Sequence, residues 1–292
     1  MKLNPLLQKS SWLESGDIRP YVFVRPENSI ANPGARHNLD WFLHEPIYKN
    51  PLNLSELGFA EHIYWIEGKA FGPAGMEMPR WVFYDCAVVP GFVAGFACRA
   101  SKVPEAMKKV LQVGPDGEWV PLSLFIIIPT MRRGEWVAHN LCTINSLLPD
   151  KKDHLYGLGF LSKAFGLWYA NVEQCTGFTQ WGSPALKLHS HYGYMEILGA
   201  YAPIHSHAKT LTYRANISTT VWEKFFTREE DMGFLENYEA SEFVIDPANE
   251  KSMIDLQHRI ERHEGPFFLS ASEIAEKKLG ESLRVYRPKK LF

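Results

Sequence analysis

The sequence has no long apolar run, no paired cysteines and no excess of one charge, and each absence removes a class of protein. Its 31 Lys and Arg residues are balanced by 33 Asp and Glu residues, so no basic footprint for nucleic acid or an anionic membrane is present. The longest apolar run, residues 124–128, is far too short to span a bilayer, and the amino terminus lacks a signal-peptide core. We therefore expect neither nucleic acid nor a membrane as a partner.

Cysteine is also scarce. The four cysteines, Cys86, Cys98, Cys142 and Cys175, are scattered without a Cys-x-x-Cys pair. This pattern favours reduced thiols in a cytoplasmic protein, with each cysteine serving as a small core residue. A Gly-x-Ser-x-Gly elbow, a Walker loop and a His-Glu-x-x-His pair are likewise missing, which argues against the enzyme classes that those motifs mark.

The most informative stretch is residues 154–197, where a glycine pair precedes a periodic apolar segment. After Gly157 and Gly159, apolar residues recur every three or four positions and predict a helix that begins at the glycines; they are Leu158, Leu161, Phe165, Trp168 and Val172. The start of a helix presents backbone N–H groups and the positive end of a dipole. The sequence therefore predicts an anion site at this glycine pair.

A strand and a short helix follow. Residues 176–181 have strand character, and Ser183 with Pro184 forms a helix-start signal, an N-cap followed by proline at the first helical position. We predict that Gly193 ends this helix in the left-handed conformation and that residues 194–201 return to a strand.

This order resembles the second half of the GNAT acyltransferase domain. In that family, Gln/Arg-x-x-Gly-x-Gly/Ala opens a helix, a strand follows, and the next helix ends in Ala-x-x-Leu-Tyr-x-x-x-Gly-Phe. The matching stretches are 154–159, His-Leu-Tyr-Gly-Leu-Gly, and 185–194, Ala-Leu-Lys-Leu-His-Ser-His-Tyr-Gly-Tyr. The resemblance extends from the strand before the glycines to Arg214.

The resemblance implies an α/β fold, a mixed twisted sheet flanked by helices, and an acyl-CoA or acetyl-CoA co-substrate without a metal. It places the pyrophosphate on the backbone of the glycine loop, at His154, Tyr156, Gly157, Leu158, Gly159 and Phe160. The sequence departs from the family at two positions. His154 replaces the motif's Gln or Arg, and His189 replaces the tyrosine that protonates the departing thiolate, so His189 becomes the candidate acid.

The acceptor side is predicted on the strand that precedes the glycines, residues 136–144. There His139 is a second candidate catalytic residue and Asn140 a candidate substrate contact, because an imidazole exchanges protons readily near neutral pH. Trp136 and Trp181 indicate an apolar acceptor pocket. The resulting hypothesis is direct acyl transfer from a coenzyme A thioester to the amine of a small molecule, with a homodimer left open.

Two His-Ser-His triplets offer a metal-dependent alternative. If the triplets lay on strands, each would place its two imidazoles on the same face of the strand, where they could bind one metal ion. The spacing around the first triplet, His189-Ser-His191, also resembles a cupin motif. The candidate ligands are His189, His191, Glu196, His205 and His207. On a helix, however, the side chains of His189 and His191 diverge by about 200°. Because the sequence predicts a helix at these residues, we expect no metal site there.

Two further alternatives stay open. Residues 177–184 are similar to the Gly-Arg-Glu-x-Trp-Gly-x-Pro-Lys stretch of acetoacetate decarboxylase-like proteins, but the nearest lysine, Lys187, lies beyond the position of the Schiff-base lysine. A non-catalytic binding protein on the acyltransferase fold is the other alternative, because both polar positions of the family are substituted.

Domain organisation is predicted in three parts: an amino-terminal region, 1–78, packed on the core; a GNAT-like core, 79–218; and a helical extension, 219–292. The first part contains a strand at 21–24 and helices near 37–44 and 54–66. The core adds a two-stranded hairpin, a helix and two strands, at 81–89, 92–98, 104–111, 119–129 and 136–144. The extension is predicted to have helices around 222–226, 253–262 and 274–279.

Overall fold

Apolar strands form the centre of the amino-terminal unit. The computed structural model describes residues 10–36, 44–88, 91–112, 118–203, 207–217 and 232–289. The chain divides into two units, Met1–Val172 and Glu173–Phe292, while the three-part organisation stays a prediction. Among the described residues, no helix combines the length and apolar character needed to cross a bilayer.

The sheet of the first unit has the strand order β2-β1-β3-β5-β6, with β4 also paired to β3. β1 and β2 are parallel, and the other pairs are antiparallel. All residues of β3 except the last are buried, because helices cover the sheet. The strands are β1 (Ile18–Phe23), β2 (Ile47–Lys49), β3 (Phe92–Arg99), β4 (Trp119–Pro121), β5 (Ser123–Pro129) and β6 (Glu135–Thr143).

Four helices accompany these strands in the described part of the first unit: α1 (Leu57–Phe71), α2 (Arg80–Val88), α3 (Glu105–Leu111) and α4 (Leu158–Tyr169). The helix predicted to begin at the glycine pair is α4, and ten of its twelve residues are buried. It packs on β3, β5 and β6. A side chain at Gly166 would begin 2.5 Å from the ring of Phe125, so glycine permits this close packing.

The hairpin predicted at residues 81–98 is wrong in its first half. Residues 80–88 form α2, and only 92–99 form a strand, β3, which pairs with β1 and not with residues 81–89. The apolar and aromatic composition of 81–89 favours a strand locally, but Phe83 is buried edge-on against Tyr64 of α1, with ring centroids 4.8 Å apart. Packing between two helices therefore overrides the local preference. The helix predicted near 37–44 falls largely outside the described residues.

A chain of buried hydroxyls fastens the start of α4 to the sheet. The N–H of Phe96 donates to Oγ of Ser123 at 3.0 Å. Oγ of Ser162 lies 2.7 Å from Oγ of Ser123 and 2.6 Å from the carbonyl oxygen of Leu158. Ser162 is the donor in both contacts, so its one hydroxyl proton is shared between Oγ of Ser123 and the carbonyl oxygen of Leu158. Both serines are fully buried, so the chain is satisfied within the protein.

Ser162→Ala is expected to lower the free energy of unfolding by about 1–3 kcal/mol, because the buried hydroxyl of Ser123 loses its hydrogen-bond partner on α4. Ser146→Ala is the control: that exposed hydroxyl donates to the carbonyl of Thr143, and its loss should change stability by less than about 0.5 kcal/mol. Urea unfolding measures both values, and equal effects for the two variants would contradict the interpretation.

The second unit has the strand order β10-β12-β11-β8-β9-β7, with antiparallel pairing. Its strands are β7 (Gln174–Gln180), β8 (Met195–Gly199), β9 (Thr210–Asn216), β10 (Tyr238–Ile245), β11 (Phe267–Leu269) and β12 (Leu283–Pro288). Its described helices are α5 (Pro184–Ser190), α6 (Met232–Asn237), α7 (Glu250–Glu261) and α8 (Ala271–Glu276). The α/β class predicted from the sequence is confirmed.

The carboxy-terminal part is less helical than predicted, since β10, β11 and β12 lie within it. The helix predicted at 253–262 is confirmed as α7, with Met253 and Leu256 fully buried. The segment predicted at 222–226 lies outside the described residues.

Ser183 caps α5 as predicted, accepting a hydrogen bond from the N–H of Ala185 at 3.1 Å. The left-handed conformation predicted for Gly193 is wrong, because its φ is not positive. A side chain at Gly193 would instead begin 2.2 Å from the carbonyl oxygen of Asn216, so the glycine allows two backbone segments to approach.

Candidate functional site

The loop that leads into α4 has its carbonyl groups occupied within the protein. The Tyr156 carbonyl accepts from Oγ of Ser10 at 2.9 Å and from Nε1 of Trp12 at 3.0 Å. The Gly157 carbonyl accepts from the N–H of Leu161 at 2.8 Å. An anion that approaches the start of α4 therefore meets carbonyl oxygens whose lone pairs already take part in hydrogen bonds.

Asn145 holds the same loop from its other side. Its side-chain amide donates to the carbonyl of Leu155 at 2.8 Å and accepts from the N–H of Leu155 at 2.9 Å. This paired contact mimics a bridge between two strands and fixes the loop relative to the end of β6. The loop is thus positioned by side chains from two distant parts of the first unit.

Gly157 is the N-cap of α4 and has φ +74°, a left-handed conformation that favours glycine. As a glycine, this N-cap residue has no side chain with which to cap the helix. Because an N-terminal helix end carries partial positive charge, the uncapped start of α4 is the candidate anion site.

The side chains of the predicted cofactor loop have unequal access. Tyr156 is half exposed, whereas Leu158 and Phe160 are buried, so Leu158 and Phe160 can offer a ligand only their backbone. Nε2 of His154 lies 3.3 Å from the carbonyl of Leu148, to which it donates. His154 therefore has a structural hydrogen bond within the loop, and its contact with a cofactor stays a prediction.

β6 contains a β-bulge at the predicted acceptor residues. Phe125 pairs with Leu141 and Ile127 with Ala138, so two steps along β5 correspond to three along β6. His139 and Asn140 of β6 therefore lie opposite a single residue of β5, and one of the two is the additional residue. A bulge changes the direction of side chains and leaves one residue outside the regular ladder, and bulges are enriched next to active sites.

The bulge brings His139 and Asn140 into contact, although neighbours on a regular strand point to opposite faces. Nδ1 of His139 lies 2.9 Å from Oδ1 of Asn140. Nδ2 of Asn140 donates to Oε1 of Glu67 on α1 at 2.7 Å. The exposed imidazole is therefore linked through an amide to a carboxyl group that is 1% exposed.

Glu67 also accepts hydrogen bonds from the N–H of Met78, at 3.0 Å and 3.2 Å to its two oxygens. Burial raises the pKa of its carboxyl above the usual 4.5, and the nearby charge of Glu77 acts in the same direction. The hydrogen bonds from Met78 and Asn140 lower this pKa but do not cancel the effect of burial.

Glu67→Gln is expected to gain stability relative to the natural protein as pH rises through the pKa of Glu67. A raised pKa means that the folded state holds the proton more tightly than the unfolded chain. The resulting stabilisation is complete below the unfolded pKa and is lost as pH rises through the folded pKa, which burial raises above the usual value. Glutamine does not titrate. Urea unfolding across this range measures the difference, and a difference independent of pH would contradict the assignment.

The two tryptophans proposed for the acceptor pocket are built into the cores of their units. Trp136 is buried, with its ring 5.7 Å from Phe92 in an edge-to-face arrangement. Trp181 is 2% exposed, and its Nε1 donates to the carbonyl of Ala200 at 2.8 Å. Their packing roles are evident, and a role in binding an acceptor stays a prediction.

The first histidine triplet lies at the end of α5. His189 is buried, with its ring 5.5 Å from that of Tyr213. Burial lowers the pKa of His191 to about 4, so His191 is neutral at neutral pH. His189 lies in α5 and His191 is its C-cap residue with right-handed helical φ and ψ, while the divergence of the two rings stays a prediction.

The other candidate metal ligands are not grouped in the described structure. Glu196 is bound by Arg214 on the adjacent strand, at 2.7 Å and 3.0 Å. His207 is described, whereas His205 is not. Within the ranges that the structure describes, no group of three or more His, Cys, Asp or Glu residues is arranged to hold a metal ion.

Cys98, Cys142 and Cys175 are free thiols in buried positions, as predicted for core residues, while the side chain of Cys86 lies outside the described part. Burial raises the pKa of the Cys98 thiol to about 11 and that of Cys142 well above its usual value. Both are therefore protonated, and neither is an activated nucleophile.

Glu67, Asn145, Ser10 and Trp12 were not predicted from the sequence. Glu67 is 73 residues from its partner Asn140, and Ser10 is 146 residues from Tyr156. The roles of Glu67, Ser10 and Trp12 depend on contacts between distant segments, and Asn145 contacts a loop ten residues away, so a local pattern carries no signal for them. Of these four residues, only Glu67 carries a weak indication of a special role in the sequence, because it is an acidic residue on a predominantly apolar helix.

No protein-family model matches the sequence, and no curated protein is found to match it. Among solved structures, the chain is similar to the ribosomal-protein-S18-alanine N-acetyltransferase from Escherichia coli, at 14% identity and a TM-score of 0.37, over 57% of this chain and 92% of that one. It is also similar to FeeM, an N-acyl amino acid synthase from uncultured soil microbes, at 10% identity and a TM-score of 0.36. This similarity covers 56% of this chain and 86% of that one.

A third similar structure is the NatC complex bound to Gag peptide and CoA, at 12% identity and a TM-score of 0.38, over 57% of this chain and 96% of that one.

Proposed function

We propose that this protein transfers an acyl group from a coenzyme A thioester to an amine of a small molecule. The observation that carries the proposal is the loop before α4. Its carbonyl groups are occupied by internal hydrogen bonds, and its N-cap is a left-handed glycine that has no side chain with which to cap the helix. These features support a site for the pyrophosphate of coenzyme A.

The acceptor side of the proposal rests on the bulge in β6. An exposed imidazole at His139, held by Asn140, is suited to take a proton from an attacking amine. The amine nitrogen would then bond to the thioester carbon while the carbon–sulfur bond breaks. A residue outside the regular ladder also offers a backbone group for the carbonyl oxygen of the thioester.

His189 is proposed as the acid that protonates the departing thiolate. It stands at the position where the family motif has its tyrosine. If this role is correct, His189→Ala should lose turnover while keeping coenzyme A binding, and His189→Tyr should restore part of the activity. An alanine variant as active as the natural protein would assign His189 to packing alone.

Binding and turnover test the proposal in two steps. Isothermal titration calorimetry should detect coenzyme A, and pantetheine, which lacks the pyrophosphate, should bind much more weakly. Release of free thiol from acetyl-CoA in the presence of a panel of small amines then reports transfer. Failure to bind coenzyme A, or equal affinity for pantetheine, would overturn the proposed site.

Coenzyme A binding without turnover for any amine would instead favour a binding protein on the same fold. The decarboxylase alternative is not favoured, because Lys187 lies beyond the position of that family's Schiff-base lysine and its Nζ donates to the carbonyl of Ala275 at 3.2 Å.

A further inference from the structure

Three side chains of the first unit form a series in which each hydrogen bond determines the next. Glu67 lies at the buried end, Asn140 in the middle and His139 at the exposed end. An ionised carboxylate has acceptors only, so it faces the NH₂ group of Asn140. The amide oxygen must then face Nδ1 of His139. Because an amide oxygen cannot donate, Nδ1 carries the proton.

We infer that Glu67 is a positioning residue, which acts through Asn140 to hold His139 in the tautomer with its proton on Nδ1 and its lone pair on Nε2. The benefit to catalysis rests on the proposed function, whereas the tautomer itself does not. With Nε2 unprotonated, the proton released by the amine passes to Nε2 as the new carbon–nitrogen bond forms. The carbon–sulfur bond breaks, and the thiolate takes a proton from the acid.

The surroundings of Glu67 support this role. The N–H of Met78 contacts both carboxylate oxygens, which fixes the plane of the group. Glu77 and the thiol of Cys142 are the other titratable groups that interact with it. A buried carboxyl is costly to retain without a partner. Here the donors from Met78 and Asn140 give it partners, and within the described parts of the chain its one side-chain donor is the amide that contacts His139.

Glu67→Gln is the sharpest variant, because glutamine has nearly the same shape but can donate. Its NH₂ group would attract Oδ1 of Asn140 and turn that amide over. Asn140 would then present its NH₂ group to His139, Nδ1 would become the acceptor, and the proton would move to Nε2. The imidazole would keep its place but hold its proton on the wrong nitrogen for accepting another.

Nitrogen-15 NMR of histidine-labelled protein at alkaline pH, where neutral imidazole predominates, reads the tautomer directly. The signal of His139 is assigned by its loss in His139→Gln. We expect mainly the Nδ1–H tautomer in the natural protein, mainly Nε2–H in Glu67→Gln, and no strong preference in Asn140→Ala. The kcat of Glu67→Gln should fall by about tenfold or more, with the KM for acyl-CoA unchanged.

A tautomer that stays Nδ1–H in Glu67→Gln, with backbone spectra otherwise preserved, would overturn the inference. If that variant does not fold, an unchanged Nδ1–H preference in Asn140→Ala would overturn it equally. A tautomer shift in a protein that acylates no amine would uphold the positioning role and reject the proposed function, so the two failures are distinguishable.

Discussion

Gly159→Asp is expected to weaken coenzyme A binding by about tenfold or more without lowering thermal stability. Gly159 lies in the first turn of α4 and does not have a positive φ, so a side chain is compatible with its backbone. A carboxylate there interacts favourably with the helix dipole. It repels a pyrophosphate a few Å away by about 1–4 kcal/mol, however, and about 1.4 kcal/mol corresponds to a factor of ten.

Gly159→Asn is the matched control, since asparagine has the size of aspartate without its charge. Calorimetric titration with coenzyme A and thermal unfolding would be measured on both variants. An anion site predicts that Asp loses much more affinity than Asn. Equal losses would indicate a steric effect, and equal binding by Asp and the natural protein would place the cofactor elsewhere.

His139→Ala is expected to lower kcat for acyl transfer on the order of a hundredfold or more, because it removes the proposed proton acceptor. Coenzyme A binding and thermal stability should change little, since the imidazole is exposed and hydrogen-bonds to a neighbouring side chain on the same strand. Steady-state kinetics with an amine identified in the thiol-release assay provide the measurement.

His62→Ala serves as a comparison, because His62 is a histidine on α1 whose Nδ1 donates to the carbonyl of Gly58. Its loss should leave the rate unaltered. A His139→Ala enzyme with full activity would refute the role of the bulge in β6 and would move the search for a base to other residues.

Local signals in the sequence were sufficient for the elements with strong periodicity or caps. The apolar spacing after Gly157 predicted α4, and Ser183 with Pro184 predicted α5. The same signals failed at 81–88, where an apolar and aromatic segment suits both a strand and a helix. Only the packing of Phe83 against Tyr64 distinguishes the two.

The candidate site was predicted in part for a related reason. His139 and Asn140 were identified by their chemistry and their place on a strand. Their contact, however, depends on a bulge, which is a difference in register between two strands and has no signature in β6 alone. Glu67 was missed because its significance comes from a partner that the fold brings to it from a distant segment.

The hydrogen bonds around the loop before α4 also bear on how a ligand would be received. Ser10, Trp12 and Asn145 hold this loop, and the helix that follows is buried along most of its length. The conformational entropy of these residues is therefore lost once, when the chain folds. A ligand that binds at Gly157 would encounter a rigid receptor, so its affinity would not be reduced by the cost of ordering the loop.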